Sequence, residues 1–311
     1  MTATMSGTGH AGRELAARLG PVGLWTIQFE FQPIDRVRQT LAELEELGYR
    51  SLWFPEVLGR ESLTNAADML SATNHMVIGA GITTIWGRDP VTMAAAHATL
   101  TEAWPGRFVL GLGVSHAPLV ELRGHRYERP FAKMVKYLDD MESAPYQGMM
   151  PAEAPVRVLA ALGPKMLQLA AERSAGALTY LVTPEHTAQA RSMLGPGPLL
   201  GVEQAVVLAE DAAEARRAAR KYLEFYLPLP NYLKTLTHLG FSDSDLTGGG
   251  SDHFVDTLVP WGPAERIAAV VKAHHDAGAD HVCLQVLDDQ QPDGMGLPMR
   301  AWRELAQVLT G

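Results

Sequence analysis

Residues 162–166, Leu-Gly-Pro-Lys-Met, have the composition of an anion-binding site. Gly163 can turn the chain, Pro164 fits the first turn of a helix, and the backbone amides of Lys165 and Met166 are then expected to point outwards. The start of a helix carries partial positive charge, to which Lys165 adds an ammonium group. This segment therefore predicts a phosphate site. The competing interpretation is an ordinary helix start with a solvated lysine.

Two other side chains could act as acids or bases. His116 follows the glycine-rich run 111–115, and imidazole titrates near neutral pH. Glu56 follows Pro55 at the end of an apolar run, where a carboxylate could act as a base or contact a cofactor ring. A structural hydrogen bond for His116 and an exposed loop position for Glu56 are the alternatives.

Other catalytic patterns are not supported by the sequence. His274 and His275 are adjacent on a predicted helix and cannot face one another, so no metal site is expected. The glycines of 79–81 are not followed at once by a helix, as a dinucleotide-binding fingerprint requires. Cys283 is the single cysteine, which excludes a disulfide framework and suits a buried position.

The candidate residues lie where predicted strands end. Residues 76–116 predict one βαβ unit, with a strand over 76–85, a helix that begins at Asp89-Pro90, and a strand over 107–114. The full set of predicted strands is 22–29, 51–55, 76–85, 107–114, 156–162, 177–182, 199–208 and 281–287. Eight strands that alternate with helices predict an α/β fold, the (β/α)8 TIM barrel. The active site of such barrels lies at the carboxyl ends of the strands.

Two segments depart from this alternation within the single predicted domain 1–311. Residues 1–12 are small and polar and are expected to be disordered, with a short helix over 12–19. Residues 228–261, between the seventh and eighth predicted strands, contain prolines, a Gly248–Gly250 run and several aromatic side chains. This length exceeds that of an ordinary connection and predicts a lid or a flexible insertion.

Composition restricts the classes of partner. The chain of 311 residues has a formal net charge of −9, which argues against a general surface for nucleic acid or anionic membranes. An anionic ligand would therefore need local basic residues. The sequence has neither an apolar run of about 18 residues nor a leader of signal-peptide type, which predicts a cytoplasmic protein.

Several motifs together resemble the luciferase-like (bacterial luciferase family) oxidoreductases, specifically the branch that uses the deazaflavin coenzyme F420. They are GRDP at 87–90, PGRFVLGLGV at 105–114 and GPK at 163–165, and the resemblance covers residues 20–225 and 260–310. It implies hydride transfer between F420 and an organic substrate. An FMN-dependent monooxygenase of the same fold is one alternative, and a non-catalytic cofactor-binding barrel is another.

The resemblance implies a cofactor in the mouth of the barrel. The ring would lie against Glu56 and a bulge in the third strand, where the Gly81–Ile82 peptide bond is expected to be cis. The ribityl chain would contact residues 113–115 and the phosphate residues 163–166. The cofactor-binding residues implied are Glu56, Ala80, Gly81, Ile82, Gly113, Val114, Ser115, Gly163, Pro164, Lys165, Met166, Thr179 and Tyr180.

Related sugar-phosphate dehydrogenases place a catalytic histidine directly after the strand-two carboxylate, whereas Val57 follows Glu56 here. Sugar-phosphate oxidation is therefore not expected, and His116 becomes the candidate proton donor. Four aromatic residues are predicted to line the site of a hydrophobic or planar small-molecule substrate: Trp25, Trp86, Tyr232 and Trp261. The resemblance also implies a homodimer.

Overall fold

The computed structural model describes residues 5–287 and 296–310, which form a barrel of parallel strands surrounded by helices. The strands are β1 (Val22–Trp25), β2 (Ser51–Phe54), β3 (Val77–Ala80), β4 (Thr83–Thr84), β5 (Phe108–Gly113), β6 (Arg157–Ala160), β7 (Gly176–Thr179), β8 (Leu199–Val206) and β9 (His281–Val286). Their order is β3-β2-β1-β9-β8-β7-β6-β5-β4, and β3 also pairs with β5 to close the ring. Because β3 and β4 are two parts of one barrel strand, the predicted eight-stranded TIM barrel is confirmed.

The helices follow the strands as the sequence predicts, with additional short helices in the loops. They are α1 (Met5–Leu19), α2 (Ile34–Glu46), α3 (Ser62–Ser71), α4 (Pro90–Ala103), α5 (Ala117–Leu122), α6 (Pro130–Glu142), α7 (Pro164–Arg173), α8 (Pro184–Leu194), α9 (Ala212–Tyr226), α10 (Pro230–His238), α11 (Asp243–Leu246), α12 (Asp252–Leu258), α13 (Ala264–Asp276) and α14 (Met299–Leu309). Asp89 caps α4 by accepting from the Thr92 N–H. Thr183 caps α8 in the same way.

Helix α1 begins earlier than the sequence predicts. Residues 5–12 are helical where disorder is expected, while residues 1–4 lie outside the described residues. Leu15 and Leu19 are buried in a cluster with Val77 and Leu199, which open their strands, so α1 covers the amino-terminal end of the barrel. Burial of these leucines stabilises α1, although the small and polar residues at its start do not indicate a helix.

The insertion 228–261 folds into helices α10, α11 and α12. It contains buried Leu236, Phe254 and Leu258, which share a hydrophobic cluster with Leu223 of α9. The Gln204 side-chain amide of β8 also donates to the Leu258 carbonyl at 3.0 Å. The insertion is therefore a helical layer packed on α9 and anchored to the barrel.

Within residues 5–287 and 296–310, no helix is long and apolar enough to cross a membrane. The same residues contain no group of three or more His, Cys, Asp or Glu side chains arranged to hold a metal ion.

Candidate active site

The bulge between β3 and β4 lies at the carboxyl end of the barrel strands, and its Gly81–Ile82 peptide bond is cis, as expected from the resemblance. The Trp25 indole N–H donates to the Gly81 carbonyl at 2.9 Å. The bulge approaches β5 so closely that a Cβ at Gly113 would lie 2.6 Å from Cγ1 of Ile82. Glycine at 113 therefore makes room for Ile82, whose half-buried side chain supplies apolar surface at the mouth.

Glu56 forms an ion pair that fixes this bulge. Its carboxylate oxygens accept from Arg88 at 2.6 and 3.1 Å and from the Thr84 N–H at 2.8 Å. Its own N–H donates to the Ile82 carbonyl at 3.0 Å. The side chains of Glu56 and Arg88 are 5% and 9% exposed. Because both carboxylate oxygens are engaged, this geometry favours a structural role for Glu56 over that of a base.

The end of β5 is held by two aromatic side chains. The Trp86 indole N–H donates to the Val114 carbonyl at 2.9 Å, and the Tyr127 hydroxyl donates to the Ser115 carbonyl at 3.2 Å. Ser115 has a φ of 55°, in the left-handed region that non-glycine residues seldom adopt. Trp86 is 8% exposed, so its contacts position the strand end.

The segment 162–166 opens α7 as the sequence predicts. Gly163 and Lys165 are exposed, and a Cβ at Gly163 would meet no atom within 4 Å. The Met166 N–H donates to the Gly163 carbonyl at 3.1 Å. The prediction that this amide points outwards to a ligand is therefore wrong. The helix start and Lys165 are nevertheless exposed to solvent, so positive charge is accessible at this position.

His116 lies directly before α5 and faces the insertion. Its ring is 5.6 Å from that of Tyr232 and 6.4 Å from that of Phe225, measured between centroids. Burial lowers the pKa of His116 below its ordinary value, and a hydrogen bond with the Asn231 side chain offsets part of this shift. His116 is therefore neutral at pH 7 and can donate a hydrogen bond, but it is a weak proton donor.

Four tyrosines, which we call the tyrosine cluster, lie between the barrel mouth and the insertion: Tyr180, Tyr222, Tyr226 and Tyr232. The Tyr180 hydroxyl lies 2.8 Å from that of Tyr226 and donates to Oε1 of Gln285 at 2.8 Å. The Tyr180 ring also packs edge-on against Trp25 at 5.3 Å. Hydroxyl contacts of Tyr180 thus join the end of β7 to α9 and β9, and a ring contact between Tyr226 and Tyr232 extends the cluster to α10.

The predicted site residues divide into two groups. Ring contacts join Trp25 to Tyr180 and His116 to Tyr232, and Tyr226 lies between these two pairs. Trp86 instead supports the end of β5. Trp261 contacts Asp256 through its indole N–H at 2.9 Å and Arg266 through its ring at 5.0 Å. Neither of these two contacts involves a residue of the mouth. Thr179 is buried in β7 and donates from its hydroxyl to the Gly201 carbonyl at 3.4 Å.

Sequence reasoning missed Glu203, which is fully buried in β8. Its Oε2 accepts from the Leu181 N–H at 3.1 Å, while Oε1 has no hydrogen-bond partner among the described residues. Burial raises the pKa of Glu203 to about 8. The sequence does indicate this buried acid, since Glu203 interrupts the apolar run 199–208.

Comparisons with known proteins agree with this architecture. A sequence profile described as luciferase-like monooxygenase matches residues 7–281. A protein of Mycobacterium tuberculosis, provisionally named as a coenzyme F420-dependent oxidoreductase, is 26% identical over 261 residues, covering 70% of this chain and 73% of that protein.

Two solved structures share the fold. An F420-dependent secondary alcohol dehydrogenase in complex with an F420–acetone adduct has a TM-score of 0.71 at 15% identity, covering 93% of this chain and 98% of the other. The FMN complex of a type II Baeyer-Villiger monooxygenase encoded on the CAM plasmid of Pseudomonas putida has a TM-score of 0.69 at 15% identity, covering 93% and 97%. At this identity the two structures establish the shared barrel, and the cofactor must be argued separately.

Proposed function

The chain belongs to the luciferase-like monooxygenase family, and on this premise we propose that it is an oxidoreductase that transfers a hydride between coenzyme F420 and a small organic substrate. The name of the Mycobacterium tuberculosis relative supports this cofactor. When bound, a deazaflavin supplies a ring carbon that carries a hydride.

The residues at the mouth fit such a cofactor. The observation that carries the proposal is the half-buried Ile82, which offers an apolar surface against which a planar ring can lie. Gly113 leaves the neighbouring strand end without a side chain, and Val114 and Ser115 continue this edge. Farther along the mouth, the open start of α7 with Gly163, Pro164, Lys165 and Met166 would hold the phosphate.

Each remaining side chain has a distinct task in the proposal. Glu56 and Arg88 hold the bulge that carries Ala80, Gly81 and Ile82 in place. Thr179 and Tyr180 close the neighbouring strand end. The neutral ring of His116 donates a hydrogen bond to the substrate oxygen, as neutral imidazoles do in other enzymes. Trp25 and Tyr232 enclose an apolar or planar substrate and exclude water, while Trp86 supports the end of β5. Trp261 is left out of the proposed site because it contacts Asp256 and Arg266 instead.

Cofactor titration tests the proposal. F420 and FMN are added separately to the purified chain, and binding is followed by cofactor fluorescence. We expect F420 to bind more tightly than FMN, and Lys165→Ala to weaken that binding, with the exposed Lys136→Ala as the control. Preference for FMN would favour the monooxygenase alternative, and F420 binding without turnover on a broad substrate panel would favour a non-catalytic barrel.

The homodimer and the cytoplasmic location belong to the same proposal. Light scattering coupled to size-exclusion chromatography tests the dimer, and fractionation of the source cells tests the location.

A further inference from the structure

Gln285 is a buried amide near the carboxyl end of β9, where it is 3% exposed. Its side chain points into the barrel, because Cys283, two residues earlier in the strand, belongs to the interior cluster that contains Trp25. Leu24 of β1 pairs in register with Leu284, so Trp25 and Gln285 follow side by side. The amide therefore lies inside the barrel at the level of the mouth.

The fold uses the oxygen of this amide. The Tyr180 hydroxyl donates to Oε1 of Gln285 at 2.8 Å. Because the single proton of Tyr180 is then engaged, the Tyr226 hydroxyl, 2.8 Å away, must donate to the Tyr180 oxygen. The two hydrogen bonds run in one direction, from Tyr226 through Tyr180 to Gln285, and each strengthens the other. They fix which end of the amide faces the tyrosine cluster, so the nitrogen is directed away from it.

The amide nitrogen ends this series with two unused donors. Within residues 5–287 and 296–310, Nε2 of Gln285 makes no hydrogen bond. The same residues include unpaired polar atoms that are sealed from solvent, such as Nδ2 of Asn65, but Nε2 of Gln285 is not one of them. A buried amide with two unpaired donors costs stability unless water or a ligand accepts from them. The nitrogen is therefore an open donor that a ligand can reach.

Gln285 is next to the site proposed for the substrate. The Tyr180 ring packs edge-on against that of Trp25 at 5.3 Å between centroids. The Trp25 indole N–H donates to the carbonyl of Gly81 in the bulge, against which the cofactor ring is proposed to lie. Trp25 thus contacts both the bulge and the residue that orients the Gln285 amide. A molecule enclosed by Trp25 would meet the open donor.

We propose that Gln285 determines substrate specificity by donating a hydrogen bond to an oxygen of the substrate. This inference rests on the proposed function and names the substrate class, neutral molecules that carry two oxygen functions. The first oxygen contacts His116, whose ring faces Phe225 and Tyr232. The second contacts Gln285 beside Trp25. An amide donor suffices for a carbonyl, ether or hydroxyl oxygen, whereas a carboxylate in an apolar interior also needs a cation.

Nuclear magnetic resonance of the full chain, labelled with nitrogen-15, tests the open donor directly with acetone as a neutral carbonyl probe. The side-chain amide signals of Gln285 are assigned by their loss in Gln285→Leu. We expect these signals to shift as acetone is added, because the carbonyl of the probe accepts from Nε2.

Gln204 is the internal control for this titration. It is as buried as Gln285 and lies in the neighbouring strand β8, but its Nε2 already donates to the carbonyls of Ala205 and Leu258 at 2.8 and 3.0 Å. Its signals should stay in place. Unchanged signals of Gln285, or equal shifts of both amides, overturn the proposal.

Thermal unfolding separates a role in ligand binding from a structural one. Gln285→Leu removes an amide that makes one hydrogen bond, whereas Gln204→Leu removes one that uses both donors and also contacts Nε2 of His274 at 2.8 Å. We therefore expect the thermal midpoint to fall less in Gln285→Leu than in Gln204→Leu. The opposite order would show that Gln285 serves the fold, and it would overturn the proposal.

Kinetics with F420 test the specificity. Among the substrates of the panel, wild type should use those with two oxygen functions at about 10-fold higher kcat/KM than matched analogues with one, through a lower KM. Gln285→Leu should lose this preference with little change in kcat, because the amide does not touch the reacting oxygen. The same preference in both proteins, or none in wild type, would overturn the specificity role. If the wild-type chain does not bind and use F420, the proposed function fails, and the acetone titration alone decides whether Gln285 binds a ligand.

Discussion

The guanidinium of Arg88 lies 2.6 Å from the Glu56 carboxylate, in a nearly buried ion pair beside the bulge of the third barrel strand. Glu56 also accepts from Thr84 and donates to the carbonyl of Ile82, so the pair connects an acidic loop to the backbone on which a cofactor ring would lie. This pair and the Trp25 indole, which donates to the Gly81 carbonyl, therefore hold the bulge from two sides.

Glu56→Gln should therefore destabilise the protein, because the nearly buried Arg88 would keep Glu61 as its one remaining ionised partner among the described residues. We expect a loss of about 1–3 kcal/mol in the free energy of unfolding, measured by urea denaturation, together with weaker F420 binding. The matched control is Asp68→Asn, which weakens the pair with the half-exposed Arg38 and should cost less stability than Glu56→Gln. Equal stability of Glu56→Gln and wild type would contradict the structural role of the pair.

Gly113→Ala should disturb the bulge from the other side. The added Cβ would lie 2.6 Å from Cγ1 and 3.3 Å from Cβ of Ile82, so the isoleucine must shift. We expect a destabilisation of about 1–3 kcal/mol in the same denaturation experiment. Gly163→Ala is the control, because its added Cβ meets no atom within 4 Å. Similar losses in both variants would show that steric crowding at Ile82 is not the cause.

Lys165→Ala should leave the thermal midpoint unchanged while it weakens F420 binding. The lysine is exposed and lies in the first turn of α7, where its charge is unfavourable to the helix, so an anionic ligand explains its position best. Because the interaction is electrostatic, the difference between wild type and variant should decrease at high salt. A salt-independent difference would argue against a phosphate contact.

Glu203→Gln should change how stability depends on pH. The pKa of Glu203 is raised from 4.5 to about 8 in the folded chain, so its contribution to stability is complete below about 4.5 and is lost as the pH rises through 8. The stability of wild type relative to Glu203→Gln should fall by about 1.4 kcal/mol per pH unit between these values. Urea denaturation across that range measures this slope. A constant difference would show that Glu203 does not titrate in this window.

The fold could be predicted from the sequence because it follows from local patterns of apolar and helix-capping residues. Alternation of apolar strands with amphipathic helices predicted the barrel, and Asp89 and Thr183 marked helix starts because capping depends only on neighbouring residues. The order of the strands then placed the predicted strand-end residues at one mouth. Helix α1 was predicted too short, since its stability comes from contacts with distant residues such as Leu199.

The pairing of side chains across the mouth was decided by the tertiary structure. The sequence placed Glu56 and His116 correctly at strand ends. It could not show that Arg88 binds the Glu56 carboxylate or that burial keeps the His116 imidazole neutral. Glu203 and Tyr222 are 19 residues apart in the chain and belong to different elements. The tertiary structure buries both side chains, and this burial raises the pKa of the Glu203 carboxyl group, which would be an ordinary acid in an exposed segment.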